Sequence, residues 1–587
     1  MTPPPPEVLA IAARGWPSGS EALRIGGEEV LERRAGEEAA RRRRWEETEP
    51  GINGEGAKGE GAMTLKAPGI SGAGSVLLVL IAALLGLSSA EATHTKYTSP
   101  IKFPVVLTGQ QVHIPAFDWD IQVLAGPKTR MWTLGGTWPP PTIRRPTGRT
   151  AEVTFYNFLQ EIQTALPNHS ELTIHHHGAH VAPVNDGWAC GFYIFPYVGN
   201  PGALSLAAGS RPPAAASAMA AEPSSQPYWR TYRYALREKD AANPTGNERG
   251  VTQWYHNHRV DVTTQTIRMG LGGGFFIVDD PADPQTLPRG VYDRTLMITD
   301  RSFDANNQIL PVNNGDHVTV NGVPQPFMNV DTHRYRFRVL NPSVARRFAL
   351  QLVLEGNEAN PDPAVLLPVQ QIATDSGLLP APVTRTSLPI GIAERYEFVI
   401  NFGQFPVGTN LILRNGLALG TPQGEIMKFR VTSAVSDSSV VPSTLRPVPG
   451  AGTPVKTRTW NFTRDPLTGA FTVNDLVMDC NRFDANMKLN TREEWVLRNA
   501  GAWVHSIHIH DVDQMCVSRN GGPCGPEEPF KEVWPMLGNE TIVVQLIPTD
   551  FVQSPDLSDG AYMLHCHVLN HEDLAMMTQW IVTRDGD

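Results

Sequence analysis

Cysteine is scarce, with five in 587 residues, too few for a disulfide scaffold to carry a chain this long. Apolar runs are short: Val76 to Leu87 covers 12 residues, against the roughly 20 a helix needs to span a bilayer. Excess positive charge is missing too. The formal net charge is −10, so nucleic-acid binding has no electrostatic support. What is abundant is glycine and proline, 52 and 50 residues, with 41% hydrophobic and 18% charged residues. That composition describes a folded, turn-rich chain in which strands alternate with turns.

Residues 1–62 open with four prolines and carry the basic run Arg41 to Arg44, a composition expected to stay disordered. From Met63 to Ala92 the order is a charge at Lys66, the apolar run, then small residues, as in a secretory signal peptide. Two readings stay open. Either translation starts at Met63 and the signal is removed, leaving a secreted chain that begins near Thr93 or Glu91, or residues 1–62 are a cytoplasmic tail and the run 76–87 is an uncleaved anchor, with Arg41 to Arg44 on the cytoplasmic side. Acceptor triplets at Asn168, Asn461 and Asn539 are compatible with secretion and glycosylation.

Alternating segments bounded by Gly, Pro, Asn or Asp predict an all-β chain in three blocks, 97–280, 281–433 and 455–587. A Pro-, Ser- and Val-rich linker at 434–454 separates the last two, and 200–227 reads as a flexible insertion. Tyr335, Phe337 and Val339 interleave with Arg334, Arg336 and Arg338, predicting a half-buried strand with a solvated basic face.

Four His-x-His pairs occur: His175 with His177, His256 with His258, His508 with His510, and His565 with His567. Chance placement would give roughly 0.5 such pairs. On a strand, residues two apart share a face, so each pair offers two imidazoles together. Eight such ligands exceed what one ion needs and predict a multinuclear site. Parity then separates a second site, because Cys566 faces away from His565 and His567, and His505 away from His508 and His510. With His571 and Met576 downstream they form a Cys, two-His, thioether set, the donors of a blue-copper centre. His176 should point to the opposite face. His94, His113, His169, His180, His317 and His333 lie outside the pairs and are expected to be ordinary hydrogen-bonded residues. Cys516 and Cys524 are near enough for a local disulfide, and Cys190 and Cys480 could pair across domains, but connectivity is not readable from spacing.

The stretches His-His-His-Gly at 175–178, Trp-Tyr-His-Asn-His at 254–258, His-Ser-Ile-His-Ile-His at 505–510 and His-Cys-His-Val-Leu-Asn-His-Glu-Asp-Leu-Ala-Met-Met at 565–577 resemble the metal motifs of the multicopper oxidases. The similarity is to the three-domain branch that includes bilirubin oxidases and bacterial spore-coat laccases. The resemblance implies three consecutive cupredoxin-like Greek-key β-sandwich domains and four coppers. It puts His505, Cys566, His571 and Met576 on a type 1 copper, His175 and His508 on a type 2 copper, and His177, His256, His258, His510, His565 and His567 on a type 3 pair. Glu572 and Asp186 are implied as proton donors. Ser506 departs from the family, which usually has proline there.

The implied activity couples four one-electron oxidations of a phenolic or tetrapyrrole-like reductant to reduction of dioxygen to water. Two rivals are weighed against it. A ferroxidase or manganese oxidase would use the same coppers with Asp511, Asp513, Glu527 or Glu528 binding the metal-ion reductant. A copper-binding cell-surface protein without turnover would be expected to have lost ligands, whereas all twelve are present. No methionine-rich insertion appears, which counts against a cuprous-ion substrate.

Overall fold

The computed structural model describes residues 95–159, 170–196, 225–226, 228–237 and 246–587. The expectations for 1–62 and 63–92, and for Asn168, His94 and His169, lie outside the described residues, as does the insertion at 200–227 except for the short strand Ser225–Gln226. Among the described residues no helix is long and apolar enough to cross a membrane.

Strands dominate, and they form three pairs of sheets. The first pair has five strands in each sheet, the second seven and five, the third six and five. Most neighbouring strands across the six sheets are non-consecutive in sequence, so the chain crosses repeatedly between the layers. Each pair encloses its own core of alternating apolar side chains, built around Val153, Phe155 and Phe276 in the first, Phe337, Phe398 and Phe429 in the second, and Trp495, Leu497 and Trp580 in the third.

Few elements position the chemistry. In the first pair they are β1 (Ile174–His177), β2 (Val251–Asn257) and β3 (Gly272–Asp279). The second pair contributes β4 (Asp293–Arg301), β5 (Arg334–Leu340) and β6 (Arg395–Asn401). The third supplies β7 (His505–Ile509), β8 (Val533–Met536), β9 (Tyr562–Cys566) and β10 (Met577–Thr583). Three helices are used below: α1 (Pro183–Asp186), α2 (Thr263–Met269) and α3 (Leu569–Glu572).

The basic face expected on β5 is not solvated. Arg336 and Arg338 are buried, because Glu397 on β6 and Asp293 on β4 stand opposite them: Arg338 Nε lies 2.8 Å from Asp293 and its Nη1 2.8 Å from Glu397. Thr252 on β2 joins the group, donating to Glu397 at 2.7 Å and so tying the first sheet pair to the second. Alternation of apolar and charged residues therefore marks two buried faces here. The partners come from strands far along the chain.

The 434–454 segment has no regular structure but is pinned, with Leu445 N–H donating to Pro380 O at 2.9 Å and Arg446 pairing with Asp280 and Asp283. Two disulfides form, Cys190–Cys480 between the first and third sheet pairs and Cys516–Cys524 across eight residues. Cys566 is the free, buried cysteine.

Candidate metal centres

β1 runs antiparallel to β2, placing His175 opposite His256. The strand ends at Gly178, whose φ of 90° favours glycine and where a Cβ would stand 2.5 Å from Arg395 Nη2 and 2.9 Å from Glu532 Oε1. A second glycine, Gly187, ends α1 at φ 80°, and a Cβ there would meet Ile174 O at 2.4 Å. That close approach lets α1 lay Asp186 against His175. In the third pair, β7 and β9 are antiparallel with Ile507 opposite Cys566 and His508 opposite His565. Ile507 and Cys566 face the core, while His508 and His565 face the seam with the first pair, as strand parity predicts.

Across that seam the eight paired histidines meet, all buried. Their ring nitrogens gather in trios within 4.8 Å: His177, His256 and His567; His258, His510 and His565; and His175 with His177 and His508. His175 Nε2 stands 3.3 Å from His508 Nε2, and His565 Nε2 stands 3.2 Å from both His258 Nε2 and His510 Nε2. Two nitrogens bound to one tetrahedral ion at about 2.0–2.1 Å would stand about 3.3 Å apart. The spacing fits donors to a shared ion. Burial holds the imidazoles of His258 and His565 down at about 3, so they are neutral and their lone pairs are available.

His505, Cys566 and His571 form the other trio. Cys566 Sγ lies 3.4 Å from His505 Nδ1 and 3.8 Å from His571 Nδ1, and the two nitrogens are 3.3 Å apart. The turn of α3 brings His571 back beside the cysteine. Met576 is buried in the same core, its carbonyl accepting from Cys566 N–H and its own N–H donating to His571 O, each at 3.0 Å. Burial pushes the Cys566 thiol up to about 12, so ionisation at neutral pH needs a cation beside it. The donor sets fit copper: a soft thiolate with imidazoles at one centre, neutral imidazoles at the other.

Both acids implied by the resemblance stand beside the histidines. Asp186 is fully buried and its Oδ2 accepts from His510 Nδ1–H at 2.6 Å, while its carbonyl accepts from His175 Nδ1–H at 2.6 Å. Glu572 Oε2 lies 3.2 Å from His565 Nδ1 and its Oε1 3.9 Å from His258 Nδ1, and burial raises its carboxyl. Sequence reasoning missed two others. Glu532 stands 3.3 Å from His177 Nε2, held by Arg395 and pushed up to about 8 by burial. Asp573 accepts from the N–H groups of Thr263 and Thr264, fixing the start of α2, and is pushed up to about 7 by burial. Nothing in the run Phe-Lys-Glu-Val-Trp around Glu532 signals the first. Asp573 was in view beside Glu572 but has no periodic mark.

The remaining expectations resolve individually. His176 points away, packed between Tyr234 and Phe276 at 4.4 and 4.0 Å. His113 meets Tyr156 Oη at 3.1 Å, His317 meets Asp316 at 2.7 Å, and His333 stacks on Tyr292 at 3.6 Å. His180 lies between Asp511 at 3.3 Å and Asp550 at 2.7 Å. Ser506 donates its hydroxyl to Ile392 O at 2.7 Å, a bond from the third pair to the second that proline could not make.

Residues 451–586 match the family profile described as multicopper oxidase. A bilirubin oxidase from Albifimbria verrucaria is 35% identical over 361 residues, 57% of this chain and 60% of that protein. A laccase from Bacillus subtilis strain 168 is 27% identical over 523 residues, covering 78% of this chain and 91% of the laccase. Among solved structures, a multicopper oxidase from the hyperthermophile Aquifex aeolicus superposes with a TM-score of 0.66 at 22% identity, over 83% of this chain and all of that one, a likeness of fold.

Proposed function

We propose that the chain is a multicopper oxidase, a reading supported by the profile match over 451–586 and by the likeness to a bilirubin oxidase and to laccases, and that it takes four electrons, one at a time, from a reducing substrate and delivers them with four protons to dioxygen, giving two waters. The observation that carries the reading is Cys566, whose side chain joins His505 and His571 while its covalent neighbours His565 and His567 enter the histidine trios across the seam. One stretch of backbone thus connects the centre that would accept electrons to the centre that would spend them.

We assign His505, Cys566, His571 and Met576 to the type 1 copper, His175 and His508 to the type 2 copper, and the other six histidines to the type 3 pair. Copper bound there would supply one-electron chemistry at the first centre and dioxygen reduction at the second. Asp186 fixes the tautomers of His175 and His510 by taking their Nδ1–H groups, which turns both Nε2 atoms toward the seam. Glu572, raised by burial and beside His565 and His258, is positioned to hold and release a proton.

The reductant we favour is aromatic, a phenol or a tetrapyrrole. His571 stacks on Phe471 at 3.9 Å, and Trp503, 48% exposed, stands edge-on to it at 6.0 Å, an apolar edge unlike a site for a hydrated ion. The bilirubin oxidase and laccase names of the relatives support the same choice. The metal-ion alternative draws nothing from its four acids. Asp511 is buried against His180, Asp513 accepts from Ser376, and Glu527 and Glu528 pair with Arg385 and Arg519. We also propose that the mature protein is secreted, a reading supported by two disulfides, which persist in oxidising compartments.

Purified protein should bind four coppers and be intensely blue. In an oxygen-uptake panel, bilirubin and methoxyphenols should be consumed faster than ferrous ion. Full copper content without colour would remove the type 1 assignment, and a preference for ferrous ion would replace the aromatic reductant.

A further inference from the structure

At the seam of the second and third sheet pairs lies a cavity of about 340 Å³, within the range of small-molecule sites. None of the metal-centre residues lines it. Its inner wall is Phe348 and Ile390, both buried, and at its mouth Leu417 and Leu537 are 59% and 49% exposed. Its floor, Gly391 and Pro535, backs onto the strand of His505: Pro535 pairs with Ser506, and a Cβ on Gly391 would stand 2.6 Å from Pro535 and 3.2 Å from Ser506 Oγ.

The charges on the lining are unequal in their commitments. Each of its four carboxylates is already bound: Glu527 to Arg385 at 2.9 Å, Glu528 and Glu540 to Arg519 at 2.8 and 3.2 Å, and Glu394 to Lys531 at 2.8 Å. Arg347 is the exception. It is half-buried and makes no hydrogen bond or ion pair with any described residue; Glu540, its charged neighbour, is held by Arg519. Because these charges roughly balance, selection for an anion comes from the vacant donors of Arg347, not from a net field. The Cys516–Cys524 disulfide ties the strand of Arg519 to the segment of Glu527 and Glu528, so this rim is covalently fixed before any ligand arrives.

We propose that this cavity binds a small organic anion, a carboxylate or sulfonate on an aromatic or compact aliphatic body, with the anionic group taking the free N–H donors of Arg347 and the body lying on Phe348, Ile390, Leu417 and Leu537. The site is separate from the His571 edge where the reductant is proposed to give up its electrons. It does not depend on the oxidase reading.

Benzoate is the probe, since it carries the anion and the ring but no oxidisable phenol. Titration calorimetry on the copper-loaded full chain should show saturable binding of one benzoate. Arg347→Gln should weaken it at least about tenfold, the lower end of what a hydrogen bond to a charged group contributes, and Arg347→Lys should fall between. Benzamide, matched in shape but neutral, should bind the unaltered protein at least about tenfold more weakly, a comparison that needs no variant to fold. Absence of saturable benzoate binding overturns the proposal, as does equal affinity for benzamide or undiminished binding in Arg347→Gln.

Discussion

At the seam between the first and third sheet pairs, Nδ1 of His177, both ring nitrogens of His567, Nε2 of His256 and Nδ1 of His258 are buried with no hydrogen-bond partner. The seams of the second pair with its neighbours are just as dry, yet Lys531 lies 2.6 Å from Asp375 and 2.8 Å from Glu394, and Arg338 is held by Asp293, Glu397 and Thr252. There these charges are satisfied by the chain's own groups, although the guanidinium of Arg249, beside Gly377, is also buried without a hydrogen-bond partner. The histidine seam leaves orphaned polar atoms, each of which costs about 1–3 kcal/mol when nothing satisfies it. Ionic pairing therefore marks where this protein is held together, and unsatisfied imidazole marks where it expects something from outside.

That contrast can be broken at several points. The largest effect should come from Cys566→Ser, which removes the thiolate from the type 1 trio: blue absorption and turnover disappear while about three coppers remain at the seam, as absorption spectra and copper analysis would show. Retained colour would mean that another sulfur serves the site. Glu572→Gln keeps shape but loses the transferable proton, and should slow reoxidation of the reduced enzyme by about 10²–10⁴-fold while anaerobic reduction of the blue centre by substrate is unchanged. Reoxidation at the unaltered rate with copper content intact would leave Glu572 only positioning His565 and His258. Asp186→Asn should act in the same direction.

In the ionic seam, Lys531→Met strands two buried carboxylates and should cost about 3–5 kcal/mol in denaturant unfolding of the copper-free protein. His256→Leu, which deletes an orphaned nitrogen, should cost far less in the same assay. A similar loss for both variants would erase the distinction between the seams. The gentlest test is pH. The buried imidazoles titrate in the folded chain near 3 to 4, below the unfolded value of about 6.5. Between those limits the unfolded histidines bind more protons, so the imidazoles' contribution to copper-free stability is full above about pH 6.5 and falls as pH drops toward about 3; the raised carboxyls of Glu532 and Asp573 act against it but are outnumbered by the histidines. Denaturation midpoints measured at pH 7 and pH 5 should show the decline.

The imidazole seam was almost wholly legible in the sequence, because strand periodicity converts His-x-His spacing and the opposed parity of Cys566 into geometry without knowledge of the fold. The ionic seam was not. The alternation on β5 gave its burial pattern correctly on the apolar side and wrongly on the arginine side, since Asp293 and Glu397 lie some forty and sixty residues away along the chain and no local rule pairs them. Glu532 escaped for the same reason: its role depends on Arg395 and His177, one from each of the other sheet pairs. The disulfides were legible as candidates and not as connections.

The Cys190–Cys480 bond closes a loop of 290 residues that contains the whole of the second sheet pair. The two halves of the histidine seam are therefore tethered on both sides, by the chain running through the second pair and by the sulfur bridge behind α1. When copper leaves, the halves remain at the high effective concentration of an intramolecular encounter. Reassembly of the proposed dioxygen-reducing centre is then a local event that needs only metal, and a chain that has lost its copper keeps the capacity to take it up again.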